Sequence, residues 1–270
     1  MIKKVKLAAH RGYSKVYPEN TMAAFRASLE LKVTMLETDV RMTADKKLVI
    51  LHDATLDRTT NMSGTVKDMS CADVLTADAG VKKDIRFEGE RIPLLEEFLD
   101  LVKDRKDLEF NIEMKDYPAQ GYDFALESCD RIIAALKEFK VENRVYINSF
   151  SGEILKYIDK KYHHSFRLHG YYPQFILGPD FDKSDYDRLF CVCLFDDIKN
   201  PDGSIGHREK RMCDKEEFEW FLSKGIEPWV YYPEDKEEFI LPSLQNGAVA
   251  ITSNDPVTAL KILNDNGYGI

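Results

Sequence analysis

The chain has 270 residues, 44% of them hydrophobic and 31% charged, with acids and bases interspersed to a formal net charge of −9. That is the composition of a soluble globular protein with ample core, and its charge excludes long-range attraction to nucleic acid or to an anionic membrane. An anionic substrate would be repelled as well, unless its site were locally cationic.

The N-terminus, MIKKVKLAAHRG, starts basic, but its apolar part is too short for the central region of a signal peptide. No apolar run approaches the ~20 residues of a membrane span. The five cysteines, Cys71, Cys129, Cys191, Cys193 and Cys213, are odd in number and contain no C-x-x-C. They read as reduced thiols, so a cytoplasmic protein without stable membrane insertion is expected.

Val5 to His10 reads as a first strand that stops at His10, Arg11 and Gly12. A helix follows over Thr21 to Lys32, capped by Asn20 or Thr21, with Met22, Phe25 and Leu29 at helical spacing. The next apolar run, Thr34 to Val40, carries Glu37 and Asp39 two residues apart, so both carboxylates face one side of a strand. Leu48 to His52 makes a further strand after a turn at Ala44 to Lys46. Then come a helix from Pro93 to Lys103 and a strand from Leu108 to Lys115, on which Asn111, Glu113 and Lys115 share a face. Helices at Phe124 to Phe139, Gly152 to Tyr162, Lys215 to Lys224, Lys236 to Gln245 and Pro256 to Leu263 alternate with strands at Val145, Ser165, Leu189, Glu227 and Ala248.

This alternation predicts βαβ units and a parallel sheet of about eight strands, an α/β TIM (β/α)₈ barrel over residues 1–270. About forty residues between Asp53 and Pro93 exceed an ordinary barrel loop. They are expected to form a small cap, about residues 54–92, with a helix near Ser70 to Ala77. Asp196 to Met212 is a second irregular stretch that would line the mouth.

In such a barrel the chemistry gathers where strands end. Glu37, Asp39 and Glu113 supply hard oxygen donors for one divalent ion, magnesium, calcium or manganese. His10 and His52 suit acid–base work near neutral pH, and Arg11 and Lys115 would neutralise an anionic substrate such as a phosphodiester. His163, His164, His169 and His207 are expected to stand outside the chemistry, His169 because its strand has no acidic neighbour.

The succession HRG (His10–Gly12), PENT (Pro18–Thr21), ETDVRMTAD (Glu37–Asp45), VILHDATLDRTTN (Val49–Asn61), RIPLLEE (Arg91–Glu97) and NIEMK (Asn111–Lys115) closely resembles the glycerophosphodiester phosphodiesterase family. The resemblance implies a metal-dependent TIM barrel that releases glycerol 3-phosphate and an alcohol from a small-molecule diester. By that likeness Glu37, Asp39 and Glu113 match the metal ligands, His10 and His52 the acid–base pair, and Arg11 and Lys115 the phosphate contacts. Trp229 would pack on glycerol carbons, with a place in the core as its alternative. Late in the chain the pattern departs, with Trp229-Val230-Tyr231-Tyr232 where the family commonly reads W-T-V-N, and Ser253-Asn254-Asp255-Pro256 for T-D-x-P. Rival readings are the same chemistry on a lysophospholipid, a metal-dependent sugar isomerase or aldolase, and a silent binding protein. The oligomeric state is not legible.

Overall fold

The structure, a computed structural model, describes residues 3–270. Eight parallel strands follow one another around a closed sheet: β1 (Lys6–Ala9), β2 (Met35–Met42), β3 (Glu109–Met114), β4 (Val145–Asn148), β5 (Arg167–Tyr172), β6 (Cys191–Leu194), β7 (Glu227–Tyr231) and β8 (Ala250–Ser253), which pairs back to β1. The expected (β/α)₈ barrel is therefore present.

Seven α-helices cover the strands: α1 (Met22–Glu30), α2 (Leu95–Val102), α3 (Tyr122–Glu138), α4 (Gly152–Lys161), α5 (Lys215–Ser223), α6 (Glu237–Asn246) and α7 (Pro256–Asp265). Their apolar stripes explain the packing. In α2, Leu95, Phe98, Leu99 and Val102 recur at helical spacing, are buried, and meet the outward strand faces in one continuous core. Thr21, Ser151 and Asp255 cap α1, α4 and α7 by accepting from first-turn N–H groups. The β5–β6 connection holds only the 3₁₀ turns Gln174–Leu177 and Lys183–Arg188.

The further strand expected at Leu48 to His52 is present as Leu48–Ile50, an antiparallel arm on β2 with Val40 opposite Ile50 and Met42 opposite Leu48. The turn through Thr43 to Lys47 is too short for a parallel crossover and folds the chain back on itself. The stretch after Phe195 is not irregular throughout, because Asp197–Lys199 pairs antiparallel with Ile205–His207.

Residues 54–92 build a satellite around Leu56, Val66, Cys71 and Val74, which pack with Val49 and Leu51. Its one α-helix is Cys71–Val74, capped by Ser70. All five cysteines are free and buried. Among the described residues no helix is long and apolar enough to cross a membrane.

Inside the barrel, the strand period of two stacks side chains in layers ~7 Å apart. The lowest layer is charged: Lys6 bridges Glu227 and Glu109, and Arg167 meets Glu109 and the Tyr146 hydroxyl. Two residues further along these strands come Asn111, Asn148, His169 and Trp229, and two further again Glu113, Phe150, Tyr171 and Tyr231. The next turn of the chain on each strand opens the C-terminal mouth.

Candidate active site

The loop after β1 bends sharply, with φ of 56° at Arg11 and 77° at Gly12. A Cβ at Gly12 would lie 2.7 Å from the Ala24 backbone, so only glycine lets α1 approach this turn. The bend delivers the Arg11 N–H to Glu37 Oε2 at 2.8 Å and sets its guanidinium against Asp39 at 3.2 Å and Glu19 at 2.9 Å.

Glu37, Asp39 and Glu113 each bring one carboxylate oxygen within 4.8 Å of the others, and all three are buried. Adjacent pairing of β2 and β3, with Asp39 opposite Glu113, makes this convergence. Burial, and then Asp39, pushes the Glu37 carboxyl well above its ordinary range, and burial raises Glu113 too. Burial works the same way on Asp39, but Arg11 and Lys115 prevail and hold it at about 2. Lys115 Nζ donates to Glu113 Oε1 at 2.6 Å, and Asn20 Nδ2 to Asp39 Oδ2 at 2.8 Å. Asp39 Oδ1 remains buried with no hydrogen-bond donor. An unpartnered carboxylate oxygen among crowded acids fits a hard divalent cation. The three carboxylates outnumber Arg11 and Lys115, and Arg11 is shared with Glu19, so a divalent ion would offset the excess negative charge and suit the site to an anionic substrate.

The two histidines reach the same cavity, of about 130 Å³, with different partners. His10 Nδ1 lies 2.6 Å from Asn254 Oδ1 and must carry the proton there, so Nε2 keeps its lone pair on the Glu37 side, 3.8 Å from Oε2. Burial, with Arg11 nearby, pulls this ring down to about 4. His52 Nδ1 lies 2.6 Å from Asp53 Oδ1, and Arg58 grips Asp53 and Glu19 together. The Glu19 contact to Arg11 completes a chain of charges from one histidine loop to the other. Arg58, in the 54–92 segment, thereby ties that segment to the mouth.

Arg11, Glu37, Glu113 and both histidines line this cavity, while Lys115 stands behind it between Glu113 and Asp39. Trp229 is corrected: it does not line the cavity. Its ring is fully buried in the layer below, 4.8 Å from Tyr146 and 4.8 Å from His169, and its Nε1 donates to Glu227. The mouth position two residues on belongs to Tyr231, whose ring lies 4.7 Å from His10. His169, expected outside the chemistry, lines the cavity with Asn111 and Asn148. Sequence reasoning also missed Asn254 and Arg58. Asp53 had a local signal, its adjacency to His52, whereas Asn254 lies 244 residues from His10 and has none.

A family model described as the glycerophosphoryl diester phosphodiesterase family matches residues 10–202. Among curated proteins, the chain is 44% identical over 161 residues to the glycerophosphodiester phosphodiesterase of Caldanaerobacter subterraneus subsp. tengcongensis, spanning 58% of this chain and 63% of that one. It is 38% identical over 147 residues to the glycerophosphodiester phosphodiesterase of Bacillus altitudinis, spanning 54% and 58%. The alignments thus span less than two thirds of these relatives. Among solved structures, the glycerophosphodiester phosphodiesterase of Agrobacterium tumefaciens superposes with a TM-score of 0.73 at 23% identity, covering 95% of this chain and 99% of that one. A phosphodiesterase of Oleispira antarctica, in complex with the product sn-glycerol-3-phosphate, gives 0.80 at 19% identity, covering 96% of both. At those identities the structures establish the shared fold.

Proposed function

The chain belongs to the glycerophosphoryl diester phosphodiesterase family, and we propose that it hydrolyses small glycerophosphodiesters to glycerol 3-phosphate and an alcohol. The observation that carries this reading is the buried trio Glu37, Asp39 and Glu113, set between two cations and two histidines at the strand ends. We treat residues 1–270 as one barrel unit capped by residues 54–92, and the buried free thiols support a reducing, cytoplasmic setting.

Glu37, Asp39 and Glu113 would hold one magnesium, calcium or manganese ion, which when bound supplies Lewis-acid stabilisation of phosphate charge. Arg11 and Lys115, pinned by Asp39 and Glu113, take up charge that builds on the phosphoryl oxygens. His10, neutral and with Nε2 free, is placed to accept a proton from the attacking hydroxyl, either water or the substrate's own 2-hydroxyl. His52, its ring oriented by Asp53 through Nδ1, is placed to protonate the departing oxygen.

The test is glycerol 3-phosphate release from glycerophosphocholine and glycerophosphoethanolamine by metal-stripped protein, with and without added magnesium, calcium or manganese. Metal-dependent release is expected. Absence of release from either diester with every metal would refute the reading and move the weight to lysophospholipids.

A further inference from the structure

One layer below the carboxylates, the cavity floor is polar, uncharged and short of partners. Asn111 on β3, Asn148 on β4 and His169 on β5 have relative exposures of 1%, 2% and 2% and line the same cavity as His10 and Glu113. Asn111 Nδ2 donates to His169 Nδ1 at 3.0 Å, so Nε2 carries the ring's N–H. That Nε2, Asn111 Oδ1 and Asn148 Oδ1 are all buried without a hydrogen-bond partner. Burial keeps the ring neutral, pulling it down to about 3.

Buried polar atoms without partners are uncommon, and three around one cavity mark a place that another molecule fills. Their chemistry is specific. One N–H donor beside two carbonyl acceptors suits hydroxyl groups, each of which donates and accepts. A phosphate would need cations or several donors, and an ammonium group would need aromatic faces turned towards it. Here the faces are taken up by one another, Phe150 on Tyr171 at 3.7 Å and Tyr171 beside Phe195 at 5.4 Å. Trp229, edge-on to Tyr146 and against His169, fixes the imidazole in place.

The spacing suits a glyceryl ester. Asn111 precedes Glu113 by two residues on one strand, ~7 Å along it, while Asn148 pairs with Glu113 on the next strand and His169 with Asn148 on the one after, so the floor steps down from Glu113 over about the reach of a three-carbon polyol. We infer that Asn111, Asn148 and His169 form a polyol-reading floor that hydrogen-bonds the terminal hydroxyl of the glyceryl group, and its 2-hydroxyl as well where water is the attacking group, while the phosphate stays at the level of Glu113. This rests on the phosphodiesterase reading above and names the part of the substrate that sets its specificity. The leaving alcohol then faces the open mouth.

The experiment compares glyceryl 4-nitrophenyl phosphate with propyl 4-nitrophenyl phosphate on the metal-loaded enzyme, following nitrophenolate. The two esters share a leaving group and differ only in the hydroxyls. The wild type is expected to favour the glyceryl ester by at least about 100-fold in kcat/KM, since the propyl ester leaves the floor unpaired. His169→Phe and Asn148→Leu should each shrink that preference about 10-fold or more, mainly through KM, while His169→Gln, which keeps a donor, retains more of it. Should one variant fold poorly, the wild-type ratio and the other variant still decide. Equal turnover of both esters by the wild type, or equal losses on both in the variants, would overturn the floor and indicate bound water only. Turnover of neither ester would sink the hydrolase reading itself.

Discussion

Arg41 clasps the His52 carbonyl oxygen with Nε at 3.0 Å and Nη2 at 2.7 Å. Its Nη1 reaches the Lys115 carbonyl at 2.9 Å, so one buried guanidinium at the end of β2 fixes the backbone of two site residues. Arg41→Ala leaves those carbonyls and the nearby Asp116 without their cation. We expect a loss of about 2–4 kcal/mol in urea unfolding and at least a tenfold fall in kcat. Arg41→Lys should recover little of either, because an ammonium cannot span both carbonyls. An unchanged unfolding midpoint with full turnover in Arg41→Ala would show the clasp to be incidental.

Replacing either histidine should separate chemistry from folding. His10→Ala and His52→Ala are each expected to lower kcat by ~10² to 10⁴ with an unchanged circular dichroism spectrum. Asp53→Asn preserves shape but weakens the contact that orients the His52 ring through Nδ1, and should lower kcat by about 10- to 100-fold. Near-normal turnover in the His52 variant would remove it from the reaction.

Stripping the metal should expose the strain in the carboxylate trio. Burial disfavours the ionised forms of Glu37 and Glu113, so without a cation the trio is held at a cost to stability. Adding magnesium, calcium or manganese at about 100 times Kd is expected to stabilise it by about 2.7 kcal/mol. Glu113→Gln should raise the melting temperature of stripped protein and weaken the metal-induced rise. Calorimetric scans with and without each ion check both; a full metal-induced rise in Glu113→Gln would place the ion elsewhere.

Asp235 offers a pH test away from the carboxylate trio. Burial raises its carboxyl to about 6 despite hydrogen bonds from Ser253 Oγ and the Asp255 N–H, and its Oδ1 has no partner. The folded protein therefore keeps this proton up to about pH 6, whereas an unfolded chain releases it near about pH 4. Folded protein binds more protons in that window, so this group's contribution to stability falls as pH rises through it. Asp235→Asn should stabilise the protein by about 1–2 kcal/mol at pH 7.5 and by nothing at pH 4, discounting the shift for partial exposure. Urea titrations at both pH values decide; an equal effect at each would mean that Asp235 does not titrate between them.

The carboxylates were legible because a strand repeats every two residues, which puts Glu37 with Asp39 and Asn111 with Glu113 whatever the fold around them. The same period gave Trp229 an inward direction but not a depth. Depth depends on which side chains close around it, and Tyr146 and His169 hold the indole below the cavity while Tyr231 takes the place at its mouth. The arm Leu48–Ile50 was legible for a related reason: its composition marks a strand, and the short turn before it returns the chain antiparallel to β2.

The sequence by itself determined the barrel, the HRG bend and the order of acids, histidines and cations along the first 115 residues, because strand period, turn chemistry and helix stripes are local properties. Closure of the barrel decided the rest. His10 meets Asn254 across 244 residues only because β8 pairs with β1, and His169 meets Asn111 across 58 because β3, β4 and β5 lie side by side. Whether a buried polar side chain finds a partner or waits for one is set by such neighbours, which no local pattern in the chain records.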